Sequence, residues 1–193
     1  MVAAAIATAS ALENPPTAPA NDLLTRAWAA LEAVPDPEIP VVSIRELGIL
    51  RSIAEQDGQL VVTITPTYTG CPAIDQIEQD IVSALSAIGL TATVRTALAP
   101  AWTTDWMGEV AKAKLRQYGV APPVGNAAML SNAQAQQPVR FARRAVTAVD
   151  APVPCPLCAS TNTTETSHFG STACKALYKC LNCLEPFDYF KPY

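Results

Sequence analysis

Apolar residues recur at helical spacing in some stretches of the chain and cluster with β-branched neighbours in others. From Asn21 or Asp22, either of which can cap a helix, Leu24, Ala27, Trp28, Leu31 and Val34 fall on one face, predicting a helix to about Val34. Pro35-Asp36-Pro37-Glu38-Ile39-Pro40 then breaks it. Proline fixes its own φ and pushes the residue before it towards extended backbone, so this hexapeptide reads as a stiff turn. A short segment, 41–47, follows and stops at Gly48. Residues 49–55 and 59–65 read as strands, joined by Gln56-Asp57-Gly58, whose Asp-Gly pair signals a hairpin. After a loop from Pro66 to Gly70, Cys71-Pro72 opens a second helix with Ile74, Ile77, Ile81, Leu85 and Ile88 as its stripe and Gly89 as its stop. Residues 91–98 read as a third strand, and a last helix runs from about Gly108 to Tyr118. The order α-β-β-α-β-α predicts a small α/β fold, an α+β sandwich, over residues 21–120.

The flanks have a different composition. Residues 1–20 are alanine-rich, with no Lys or Arg before the apolar stretch and Pro15-Pro16 after it, so they read as a disordered tail and not as a signal peptide. Residues 121–152, rich in Pro, Gln and Ala, read as a linker that lets the units on either side move independently. Residues 153–193 are too few to hold a hydrophobic core unaided. No apolar run has the length needed to cross a bilayer, so no membrane association and a cytoplasmic location are expected.

Five of the six cysteines lie in that final segment. Cys155-Pro-Leu-Cys158 and Cys180-Leu-Asn-Cys183 are two C-x2-C pairs with 21 residues between them. Two such turns, each aiming both sulfurs at one point, complete a tetrahedron of thiolates, which suits a structural Zn2+. A small C-terminal zinc ribbon follows, stabilised by the metal in place of a core. Four thiolates also suit a rubredoxin-like iron site, which would make the tail an electron-transfer element. Cys174 and His168, the only histidine, lie between the pairs and read as a buried free thiol and a surface imidazole of the ribbon.

Charge narrows the partners. The net charge is −4 and the pI about 5.0, whereas duplex binding needs a concentrated positive face. Nucleic acid is therefore not expected, despite Arg140, Arg143 and Arg144 beside the ribbon. The one His lies in the ribbon, so no Ser-His-Asp set can form, and no Gly-rich phosphate loop occurs. The chain is expected not to be catalytic itself. Two spots remain. Cys71 reads as the N-cap of the second helix, where free backbone N–H groups would lower its pKa, although Asp75, Glu78 and Asp80 oppose this. Such a thiol could hold a metal or simply fit a tight turn. Asp36 and Glu38, between prolines, could bind metal or a partner, or could cap a solvated turn.

The segments Asp36-Pro-Glu-Ile-Pro-Val-Val-Ser-Ile-Arg-Glu-Leu-Gly48, Thr65-Pro-Thr-Tyr-Thr-Gly-Cys71-Pro and Pro100-Ala-Trp102 resemble the iron–sulfur assembly domain family (MIP-type, or SufT-like). The tail, from Phe169-Gly-Ser-Thr-Ala-Cys-Lys-Ala-Leu-Tyr-Lys-Cys180 through Glu185-Pro-Phe-Asp-Tyr-Phe-Lys-Pro192, resembles the zinc-ribbon end of the PaaD (PaaJ) subfamily of the phenylacetyl-CoA epoxidase system. The resemblance implies an accessory protein of aerobic phenylacetate catabolism. Its expected partners are the epoxidase's di-iron oxygenase and iron–sulfur flavoprotein reductase subunits, and a homodimer is expected from the family. It further implies iron or an iron–sulfur cluster as transient cargo. Cys71 matches the family's reactive cysteine, and Asp36 and Glu38 match its acidic turn.

Overall fold

The computed structural model describes residues 23–57, 59–124 and 152–193; the expected tail and most of the expected linker lie outside them. Helix α1 (Leu23–Glu32) is followed by the proline loop, then by the hairpin of β1 (Leu50–Gln56) and β2 (Gln59–Ile64). Helix α2 (Ala73–Ala87) crosses over to β3 (Ala92–Thr96), which joins β2 in parallel, giving the sheet order β1-β2-β3. A single 3-10 turn (Thr104–Trp106) leads to α3 (Glu109–Tyr118). The α-β-β-α-β-α order is as the periodicity predicts.

The apolar stripes account for the packing. On α2, Ile77, Ile81 and Leu85 are buried, each contributing about 1.5–3 kcal/mol by leaving water, while Ile74 and Ile88 at the stripe's ends are half-buried. On α1, Ala27 and Leu31 are buried against the same core, with Leu24 and Trp28 at its margin. Ser43-Ile-Arg-Glu46 folds as a reciprocal capping pair. The Ser43 N–H donates to Glu46 Oε2 at 2.9 Å, and the Glu46 N–H donates to Ser43 Oγ at 3.2 Å. Glu46 also pairs with Lys114 at 2.6 Å and so ties α3 to this segment. Gly48 stands at φ +73°, and a Cβ there would meet Trp106 Cβ at 2.7 Å. Only glycine meets both demands.

The ribbon is a four-stranded sheet, ordered β4-β7-β6-β5, of β4 (Val120–Ala121), β5 (Thr163–Ser167), β6 (Lys175–Cys180) and β7 (Pro186–Phe190). Its first strand belongs to the chain that leaves α3, so the ribbon's sheet begins within two residues of Tyr118. The two units also meet directly, outside the expected linker. Phe190 and Cys174 of the ribbon sit in the same buried core as α1, α2 and the first sheet. Trp102 packs against Phe190 in a tilted contact and against Tyr193 edge-on, and the Tyr193 backbone oxygen accepts hydrogen bonds from Thr104 N–H at 3.1 Å and Thr103 Oγ1 at 2.9 Å. A second, smaller cluster of Ala121, Val153, Ala176, Phe187 and Tyr189 backs the four paired thiols. Among the described residues no helix is long and apolar enough to cross a membrane.

Candidate functional site

The two C-x2-C turns lie at the same end of the ribbon. The Sγ atoms of Cys155, Cys158, Cys180 and Cys183 all lie within 4.8 Å of one another. Cys155 and Cys183 are 3.8 Å apart, and Cys158 and Cys180 are 3.6 Å apart. A tetrahedral ion with metal–sulfur bonds of about 2.3 Å needs sulfurs about 3.8 Å apart, so this donor set fits one. Both turns end on a residue with positive φ, Ala159 at +59° and Leu184 at +68°, which curls the chain back after each second cysteine. Backbone N–H groups of Cys183 and Asn182 each donate to Cys180 Sγ at 3.4 Å. They favour the Cys180 thiolate and lower its pKa, while the three neighbouring thiols act to raise that of Cys183, so the first proton leaves the cluster from Cys180.

The second site lies where the ribbon meets the first unit. A cavity of about 10 Å³ is bounded by Asp36, Glu38, Thr67, Cys71, Cys174 and Phe190, with Ile39 and Ile77 among its apolar walls. That volume suits about one water-sized occupant. The proline loop positions its acidic side: Asp36 Oδ1 accepts from the N–H groups of Glu38 at 2.9 Å and Ile39 at 2.8 Å. Asp36 is thus a turn-forming acceptor, and its two hydrogen bonds hold the backbone of Glu38 and Ile39. Burial raises the pKa of Asp36. Burial, followed by the neighbouring Asp36 charge, raises that of Glu38.

Cys71 is half-buried and stands one place before the N-cap, because Pro72 takes the cap position and α2 begins at Ala73. The expected lowering of its pKa is corrected. Burial pushes the thiol up, and the Glu38 charge adds to this; hydrogen bonds to its sulfur from Ala73 N–H, Tyr68 O–H and Thr67 pull the other way but do not win. Tyr68 is itself pushed up to about 12, by burial first and then by the adjacent Cys71. At neutral pH the resting group is a thiol.

Cys174 does not behave as a free thiol of the ribbon alone. It is buried in the first unit's core, its Sγ lies 3.0 Å from the Thr172 hydroxyl, and it faces the cavity that Cys71 faces. Lys175, buried and 3.3 Å from Asp188, contributes positive charge near Asp36 and Glu38. Sequence reasoning missed Cys174, Thr172 and Lys175 as neighbours of Cys71. The available signal was the leftover thiol itself, outside both C-x2-C pairs. His168 is exposed and bonded to Glu165 at 3.2 Å, and it is not part of the four-thiol group.

Comparisons with known proteins cover both units. Residues 24–97 match the family described as iron–sulfur cluster assembly protein, and residues 141–191 match the PaaD zinc beta ribbon domain. An Escherichia coli (strain K12) protein, named as a putative component of the 1,2-phenylacetyl-CoA epoxidase, is 46% identical over 165 residues, covering 85% of this chain and 90% of that protein. A Porphyromonas gingivalis (strain ATCC BAA-308 / W83) protein named "Fe-S protein maturation auxiliary factor" is 35% identical over 88 residues, covering 44% of this chain and 83% of that protein. Among solved structures, a domain of unknown function (DUF59) from Bacillus anthracis is 33% identical with a TM-score of 0.44, covering 48% of this chain and 90% of that one. Fold and site therefore define an iron–sulfur-assembly-type α/β domain joined to a four-thiol ribbon. The chain belongs to the PaaD family of phenylacetyl-CoA epoxidase components.

Proposed function

We propose that this protein is a cytoplasmic maturation factor for the phenylacetyl-CoA 1,2-epoxidase, handling iron or an iron–sulfur cluster for the oxygenase or reductase subunits through Cys71. The observation that carries this reading is the placement of Cys71, half-buried beside Glu38 at a cavity of about one water's volume, within an iron–sulfur-assembly-type domain. The naming of the Escherichia coli relative supports the pathway, and the naming of the Porphyromonas gingivalis relative supports the task. A soft sulfur donor with a nearby carboxylate suits iron better than a hard cation such as Mg2+.

Cys155, Cys158, Cys180 and Cys183 hold a structural Zn2+ in this reading. All four coordination positions are filled by thiolates, which leaves none open for chemistry. The test is to co-produce oxygenase and reductase with this protein or its Cys71→Ser variant and measure phenylacetyl-CoA epoxidation. Loss of activity with the variant is expected; full activity would refute the reading. The same four sulfurs also suit iron, which would make the ribbon an electron carrier. A colourless protein with one zinc per chain removes that alternative.

A further inference from the structure

Cys174 comes from the ribbon and Cys71 from the first unit, yet both residues line the same cavity of about 10 Å³. Cys174 is 4% exposed and lies outside the four-thiol cluster, so the ribbon's own metal leaves it unused. Its surroundings are built. The Thr172 hydroxyl lies 3.0 Å from its sulfur, and Thr172 also bonds the Glu38 carboxyl, so one hydroxyl links the ribbon's thiol to the acidic loop. Burial raises the pKa of both thiols and the Glu38 charge adds to it at each, while Thr172 and Lys175 oppose it at Cys174. Phe190 and Ile77 close the apolar side.

We infer that Cys71 and Cys174 form one dithiol site across the two units, taking a single thiophilic divalent cation as a bis-thiolate. The inference rests on the reading of Cys71 as the cargo thiol and names its second ligand. Binding replaces two S–H bonds with two metal–sulfur bonds and releases two protons to solvent, with no change in oxidation state. Two thiolates neutralise a divalent cation, so buried thiols that stay protonated when empty ionise once the cation arrives. The ribbon thereby acquires a second task. Its metal holds a platform, and the platform carries Cys174 to Cys71.

The test uses the full chain with zinc already in the ribbon, kept free of oxygen and titrated with Co2+. Wild type is expected to take up one further cation, with sulfur-to-cobalt charge-transfer absorption and release of two protons. Cys71→Ser and Cys174→Ser are each expected to weaken that uptake by more than about tenfold while retaining the ribbon's zinc. No uptake beyond the ribbon by wild type, or unchanged uptake by Cys174→Ser, would overturn the inference. Should both Cys174→Ser and Cys174→Ala lose zinc or fold poorly, wild type is treated with phenylarsine oxide, whose arsenic bridges two thiols with loss of water. A peptide pair joined through Cys71 and Cys174 is then expected, and its absence overturns the inference. If Cys174→Ser loses the cation site while epoxidation proves independent of Cys71, the maturation reading fails and the dithiol site stands. If Cys71 is required and Cys174→Ser binds as wild type does, the dithiol site alone fails.

Discussion

The indole of Trp102 and the ring of Phe190 lie with centroids 5.9 Å apart, joining the first unit to the ribbon beside the cavity that Phe190 helps to close. The indole N–H donates to the Leu47 carbonyl at 3.0 Å, so this contact is anchored at its far side as well. Phe190→Ala removes one of the largest fully buried side chains, and a cost of about 3–5 kcal/mol is expected in denaturant unfolding. Cys174, freed from the shared core, should also become much more reactive to alkylation. Unchanged Cys174 reactivity would show that the ribbon holds its place without this contact.

Gly48→Ala places a methyl group 2.7 Å from Trp106 Cβ at a φ of +73°. Left-handed backbone and a close contact add, so a loss of more than about 2 kcal/mol is expected. Chemical denaturation of the purified variant measures it. A loss below about 0.5 kcal/mol would mean that the 3-10 turn shifts freely.

Leu184→Gly should act in the opposite direction. Leu184 is exposed and holds φ +68° at the end of the second C-x2-C turn. Relieving that strain, less the added chain entropy of glycine, should stabilise the metal-loaded ribbon by up to about 1 kcal/mol. Thermal unfolding and the rate of metal loss to a chelator both report it. Faster metal loss would show that the Leu184 side chain supports the knuckle.

Alkylation of Cys71 tests its electrostatics. Burial and the Glu38 charge push the thiol's pKa up from its ordinary 9.0, so the midpoint of the rate–pH profile should lie above 9. In Glu38→Gln one negative charge is removed, the thiolate is favoured, and the profile should move to lower pH. A midpoint below 9 in wild type would mean that the start of α2 governs the sulfur after all.

Much of this was legible in the sequence. The stripe of Ile77, Ile81 and Leu85, the hairpin that pairs Gln56 with Gln59, and the two C-x2-C pairs each carry a local rule, and each appears where that rule puts it. The pKa of Cys71 was misjudged because helix-end position is visible in sequence, whereas burial and the approach of Glu38 are tertiary facts. Cys174 and Trp102 were harder still. Nothing at residues 172–175 announces that the ribbon folds back on the proline loop, because the contact depends on Val120–Ala121 entering the ribbon's sheet. The capping pair of Ser43 and Glu46 went unread in the sequence although it carries the S-x-x-E spacing, and it explains how the segment before Gly48 holds its shape.

Iron bound to the epoxidase's oxygenase and reductase, co-produced with wild-type or Cys71→Ser protein and measured for each purified component, tests the central claim most directly. At least one of the two is expected to lose most of its iron with the variant, while the variant itself keeps its ribbon metal. Full iron in both, with a folded Cys71→Ser protein present, would contradict the maturation role.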